Sequence, residues 1–458
     1  MSLDLVMQAV AEYHAHSPGY ALHRDYHDGK HRFSFASAKF RAKYGWVLRA
    51  SRENLCPAVV SAHVDRLTVE SWGDNTDEAA QEGMTRLARL VHTEAHVTGD
   101  AFTLTWYRPG TTDPMPVFHR AHQIVPFIND EQPDQLDAAA KVWIDAEGYA
   151  RINLYDAEKL TRWRSTSKAS IMTFAERTNP PTLPDSASAW QPHDTRDAKH
   201  EEGHAFRAVP VCWWKRGAPS QFDRGVSILR DVISPQDRLN KVIADAVVSA
   251  ERIALPVRYI LNVAEEQLRS RLNPSTGLME PPRPPFDEAV NSLLMHSAGG
   301  PAGQFEGPDA QHLMLMKNDL ESEVARITGV PSYYLAQTSG DVPSGESLRV
   351  VTSRLLSAVT SFQRDANPVW KGQLELLGWA NPAIKWADAM PMSEVERVEV
   401  ATAKHRDLGY ALEDAIVGLD ESDPDGIVTR AAAAKNASAA AAGQAFRDGA
   451  ITYTTPIE

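Results

Sequence analysis

Apolar positions change their period several times along the 458-residue chain, and each change predicts an element. The first 100 residues read as mixed and mainly helical. Within them, short apolar runs at Ala58 to Ala62 and Leu67 to Trp72 predict strands, and Glu78 to Val97 predicts a helix. Ala80, Met84, Leu87 and Val91 give that helix its stripe, with spacings of three and four. Phe102, Leu104 and Trp106 then alternate on one face of a strand that ends before Pro109-Gly110. Further strands are expected at Gln123 to Ile128, Lys141 to Ile144 and Ala150 to Tyr155, with Asp145-Ala-Glu-Gly148 as a hairpin turn. Thr178 to Lys199 is polar and Pro-rich, which predicts a loop, and Val209 to Trp214 predicts a strand after it.

The centre of the chain turns helical. Ser234-Pro235-Gln236-Asp237 supplies a capping hydroxyl, a proline at the first helical position and a first-turn acid. Leu239, Val242, Ala246, Ala250 and Ile253 then form a narrow seam that Pro256 stops. A β-like piece at Val257 to Val263 precedes a Pro- and Gly-studded stretch from Asn273 to Gly307. A second long helix is expected from Asp309 to Thr328, with Leu313, Met316, Leu320, Val324 and Ile327 on its seam and Gly329 and Pro331 as stops. A third begins at Ser344 and is expected to end near Asn367, with Leu348, Val351, Leu355, Val359 and Phe362 on one face. Gln337 to Pro343 is the polar loop between these two helices. From Pro391 onward the chain reads as helical and Ala-rich, with a low-complexity run at Ala431 to Ala442. The order of elements predicts an α+β protein.

Composition narrows the function classes. A net charge of −13 argues against a protein that grips nucleic acid over its whole surface. No apolar run approaches the length of a transmembrane helix, and the N-terminus lacks the pattern of a secretory signal. The only two cysteines, Cys56 and Cys212, cannot build a disulfide framework or a cysteine zinc site, and they suit a reducing cytoplasm.

The sharpest enzymatic pattern is His200-Glu201-Glu202-Gly203-His204, a literal H-E-x-x-H. On a helix it would hold zinc through His200 and His204, with Glu201 as the general base of a hydrolase. Its setting opposes that chemistry: the segment lies between Pro192 and Pro210, contains Gly203 and reads as a polar loop. His23, His27 and His31, and His92 with His96, also stand at helical spacing, and Gly29 interrupts the first set. No nucleophile elbow, phosphate loop or dinucleotide fingerprint occurs. The residues therefore predict no metal, no cofactor and no catalysis.

Several short motifs occur in a recognisable order. They are Gly99-Asp-Ala-Phe102, the Asp145–Gly148 turn with Leu154-Tyr155, Val209-Pro-Val211, Gly225-Val-Ser-Ile-Leu229, Ile327-Thr-Gly-Val-Pro331 and Ser344-Gly-Glu-Ser-Leu-Arg349. Together they resemble the portal (head–tail connector) proteins of tailed bacteriophages, of the SPP1 portal-like group, over about residues 40 to 430. Ser347 stands where alanine is usual. The resemblance implies a portal fold: a β-rich wing (1–225), a first stem helix (226–255), an α/β clip (256–308) and a second stem helix (309–329). A wing helix with a tunnel loop (330–380) and a helical crown and tail (381–458) would follow.

It also implies a ring, usually of twelve subunits, at one capsid vertex of the virion. The expected partners are further copies of the chain, terminase, the major capsid and scaffolding proteins, a neck or adaptor protein, and double-stranded DNA in the channel. No membrane partner is expected. Leu239, Val242, Ala246, Ala250, Ile253, Leu313, Met316, Leu320 and Val324 would pack the stem. Gln337, Thr338, Ser339, Gly340 and Asp341 would form the tunnel loop, with Asn367 to Trp370 as the competing loop.

Overall fold

The computed structural model describes residues 3–32, 35–73, 75–108, 110–169, 180–195, 199–254, 258–261, 271–280, 293–296, 303–304, 310–335, 345–390, 394–407 and 424–447. The chain divides into two compact units, 1–389 and 390–458.

The first unit opens with three helices, α1 (Leu3–His27), α2 (Ala38–Ala50) and α3 (Cys56–Val64). Helix α1 buries Val6, Val10, Tyr13, Ser17 and Tyr20, an alternation of four and three, and it runs on through Pro18. Helix α3 corrects the expected strand at Ala58 to Ala62. A short apolar run does not distinguish strand from helix, and Pro57 at the helix start favours the helix. Burial on almost every side removes the periodicity that would have identified it.

Strand β1 (Val69–Trp72) and helix α4 (Glu78–Thr98) follow. Asp77 caps α4 by accepting from the Ala79 amide at 3.0 Å. Then come β2 (Asp100–Tyr107), β3 (Pro114–His119), β4 (Ile124–Ile128), β5 (Leu136–Ile144), β6 (Tyr149–Tyr155) and β7 (Lys159–Lys168). The short strands β8 (Trp190–Pro192) and β9 (Glu201–Gly203) precede β10 (Val211–Lys215). Strands β4 to β8 form an antiparallel sheet in sequence order, and β9 pairs with the other end of β7. The hairpin between β5 and β6 forms as expected: Gly148 takes φ 90°, and Asp145 accepts from the Tyr149 amide at 2.8 Å. A second sheet runs β10-β2-β3.

Helix α5 (Ile233–Ala254) leads to five short strands: β11 (Arg258–Leu261), β12 (Arg271–Leu272), β13 (Met279–Glu280), β14 (Leu293–His296) and β15 (Gly303–Gln304). β11 pairs in parallel with β14 and antiparallel with β15. Helices α6 (Ala310–Thr328) and α7 (Gly345–Leu376) follow, then β16 (Ile384–Trp386), which pairs with β1.

Helix α7 does not stop near Asn367 but continues through Pro368. An interior proline costs about 3 kcal/mol, and burial beyond it offsets that cost. Trp370 packs edge-on or tilted against Trp72 and Trp214, at 4.8 and 4.6 Å between ring centroids. Gln373 is fully buried and donates to Thr105 Oγ1 at 2.8 Å. The second unit contains α8 (Glu394–Arg406) and α9 (Pro424–Arg447), and the Ala-rich run lies inside α9. No described helix is long and apolar enough to cross a membrane.

Candidate functional site

Helices α5 and α6 pack together, and the start of α5 is anchored by polar groups as well as by its apolar seam. Gln236 and Asn240 are buried. Gln236 accepts from the Leu55 amide at 2.9 Å and donates to Glu53 O at 2.7 Å. Asn240 accepts from the Glu53 amide at 2.8 Å, and its side-chain nitrogen lies 2.7 Å from His31 Nδ1. Arg238 joins Glu323 across the helix pair at 2.6 Å. Lys317 bridges Glu53, at 3.2 Å, and Glu321 one turn away.

Of the nine expected stem-packing residues, Leu239, Val242, Leu320 and Val324 lie in one buried cluster, with Leu313 packed against it. Ala246 is half-buried, Ala250 is exposed, and the Ile253 side chain is outside the described residues. Met316 is 47% exposed and continues a run with Met314 (51%) and Leu315 (60%). Among the described residues, α6 therefore leaves three large apolar groups about half exposed.

Two of the quoted motifs meet where α4, β2 and the approach to α5 converge. Gly99 has φ 100°, and its carbonyl accepts from the Arg216 amide at 2.8 Å. A Cβ on Gly225 would sit 1.9 Å from that same carbonyl oxygen. Asp100 is fully buried and accepts from three donors: Tyr20 Oη at 2.5 Å, Trp213 Nε1 at 2.8 Å and the Gly225 amide at 2.8 Å. Burial raises its carboxyl above the ordinary range in spite of these donors. Ser227 donates to Val97 O at 2.6 Å, and the Ile228 amide donates to His96 O at 3.0 Å. The chain entering α5 is thereby tied to the end of α4. Gly99, Asp100 and Gly225 were legible in sequence; the pairing of Asp100 with Gly225 across 125 residues was not.

The H-E-x-x-H segment is not the loop expected from sequence. Glu201–Gly203 form β9 against β7, because Glu202 pairs with Arg162, and Glu201 reaches Lys159 at 3.3 Å. Residues i and i+4 of a strand stand about 13 Å apart, so His200 and His204 do not converge on one ion. Each instead bonds a separate carbonyl, Arg162 O at 2.6 Å and Asp156 O at 3.0 Å. Among the described residues, no group of three or more His, Cys, Asp or Glu is placed to hold a metal. His31 bonds Tyr26 O at 3.2 Å, and His92 Nε2 accepts from Trp370 Nε1 at 3.2 Å, so both serve packing. Burial pushes the Cys56 and Cys212 thiols up to about 12, far from a nucleophile's range. Gln337, Thr338, Ser339, Gly340 and Asp341 lie outside the described residues. The competing loop, Asn367 to Trp370, is corrected to part of helix α7.

These elements coincide with a known family. The model of the SPP1 Gp6-like phage portal proteins matches residues 76–378, about two thirds of the chain. The chain belongs to this portal protein family. It is 24% identical over 175 residues to the portal protein of Mycobacterium phage D29, covering 38% of this chain and 35% of that one. The match thus spans about a third of that relative's length. Two solved structures are also similar, both of gene transfer agent (GTA) necks. One is the neck of an empty particle computed with C6 symmetry: 13% identity, 81% of this chain, 92% of that chain, TM-score 0.45. The other is the neck of a native particle computed with C12 symmetry: 13% identity, 83% and 92% coverage, TM-score 0.43.

Proposed function

We propose that the chain is the subunit of a closed portal ring, of twelve copies, at one vertex of a phage capsid. The ring is the conduit through which terminase packages double-stranded DNA and through which the DNA leaves. It contacts the major capsid and scaffolding proteins during assembly and later carries the neck and tail. The family match over residues 76–378, which takes in α4 to α7, carries this reading. A closed ring needs a heterologous contact repeated by rotation. The half-exposed Met314, Leu315 and Met316 on α6 support such a contact with a second copy.

In this reading α5 and α6 are the stem, residues 256–308 the clip facing the motor, residues 1–225 and 330–380 the wing, and the crown lies within 381–458. The role is mechanical, with no catalysis, cofactor or membrane anchor. The acidic total suits a channel that DNA slides through, since a wall rich in Lys and Arg would hold phosphates by releasing their counterions. Gln337 to Pro343 is assigned as the tunnel loop. Ser339→Cys should then crosslink to DNA trapped during packaging, and a silent Ser339→Cys ends that assignment alone. The ring itself is tested by the mass of the purified full-length protein. A species near twelve times the 50.5 kDa chain is expected; a monomer or dimer under all assembly conditions refutes the reading.

A further inference from the structure

The sheet β4 to β8 turns one face to α1, and half of its opposite face carries cations. Antiparallel pairing sets the rows. Lys141, Asn153 and Arg162 stand side by side across β5, β6 and β7. Trp143, Arg151, Arg164 and Gln191 form the next row, and Tyr149 with Lys168 a third. Rows two residues apart and strands about 4.8 Å apart make a patch of about 13 by 14 Å.

Two of its five cations are neutralised: Arg151 by Asp145 at 2.6 Å, and Arg162 by Glu202. Lys141, Arg164 and Lys168 have no carboxylate partner among the described residues. Their charges rest on aromatic rings instead. Lys141 lies 5.3 Å from the Trp143 ring centre, and Arg164 and Lys168 lie 4.4 and 5.7 Å from that of Tyr149. Arg164 Nε is buried without a hydrogen-bond partner. Burial draws the Lys141 ammonium below its ordinary range, and no acid acts against it. In a chain of net charge −13, this is a local excess of uncompensated positive charge.

We propose that this face binds the phosphate backbone of double-stranded DNA. The inference goes beyond the conduit role and relies on it only for the identity of the polyanion. A protein partner fits less well, because the cores of protein–protein interfaces are depleted in lysine. Phosphates are held by just such Lys and Arg groups with Asn, Gln and Tyr beside them. Among the described residues, the face offers strands and no helix to enter a groove, so binding should be independent of sequence.

The test uses the full-length protein, a 30-base-pair fluorescent duplex and NaCl from 50 to 200 mM, read by anisotropy. Lys141→Gln/Arg164→Gln/Lys168→Gln should weaken binding on the order of 100-fold at 100 mM salt and flatten the log–log salt slope by about three. Lys168→Gln alone, at an exposed position, should flatten it by about one, so the proposal stays testable if the triple variant folds poorly. Lys39→Gln/Arg86→Gln/Lys371→Gln, which removes three exposed cations elsewhere, should keep the parent slope. No binding by the parent overturns the proposal. So does a parental slope in the Lys141/Arg164/Lys168 variant, or a change in its particle mass without a change in DNA affinity, which would make the face a subunit contact. Particle mass is measured in parallel: a ring without the slope change refutes this face and spares the ring, and the slope change without a ring does the reverse.

Discussion

Asp100 and Gly225 show how much a single position carries. A buried carboxylate with three donors is held by charge-assisted hydrogen bonds, each worth about 1.5–3 kcal/mol, and it ties helix α1, strand β10 and the approach to α5 together. Asp100→Asn keeps the shape but turns an N–H toward a donor. At Gly225 the added methyl of alanine would meet the Gly99 carbonyl, which is backbone and cannot swing aside. Gly225→Ala should therefore cost about 3 kcal/mol, in the range of backbone clashes. Gly83, inside α4, has nothing within 4 Å of its would-be Cβ. There the same change should stabilise by about 0.5–1 kcal/mol, because alanine loses less entropy in a helix. Equilibrium urea unfolding measures both, and equal signs would contradict the argument.

Among the elements, the α5–α6 pair divides its labour. Its buried half is held by Leu239, Val242, Leu320 and Val324, and by Gln236 and Asn240, which bond the 53–55 backbone. Its open half carries Met314 and Leu315. Leu315 is exposed, so the effect of Leu315→Asp on subunit stability should stay within about 0.5 kcal/mol. The substitution should nevertheless block ring growth by placing a charge in an apolar contact between copies. Mass photometry of the variant checks this, and a normal ring would remove α6 from the interface. Helices α3 and α7 mark the limit of periodicity as a guide. α3 is buried on nearly all sides and so carries no stripe. α7 outlasts Pro368 because Trp370 and Gln373 are held by partners more than 150 residues away.

For the molecule as a whole, buried histidines set the acid limit. Burial pulls His92 and His119 down to about 3, and His23, His63 and His122 down to about 4, from the ordinary 6.5. The unfolded chain binds these protons first, so stability is full above pH 6.5 and falls as the pH drops toward 4. Each histidine contributes up to about 1.4 kcal/mol per pH unit. Glu94 and Asp100, raised by burial, act in the opposite sense and favour the fold at low pH. His16, His31, His96 and His193 are lowered as well, so two raised carboxyls oppose nine histidines and the net effect is a loss. The Tm should decline steeply between pH 6.5 and 4.5, and a flat profile over that range would contradict it.

The sequence by itself determined the long central helices, the β5–β6 hairpin and the order of motifs that marks the family, because caps, turns and stripes are local signals. Ala58 to Ala62 and the end of α7 were read locally too, and there the structure departs, since burial on nearly all sides hides the stripe of α3 and packing beyond Pro368 outweighs that proline's local preference. Only the tertiary structure decided that Gly99-Asp100 meets Gly225, and that His200 and His204 flank a strand rather than surround an ion. It alone gathered Lys141, Arg164 and Lys168 into one face. Each of these depends on which strand pairs with which and in what register, a long-range choice that no window of neighbouring residues contains.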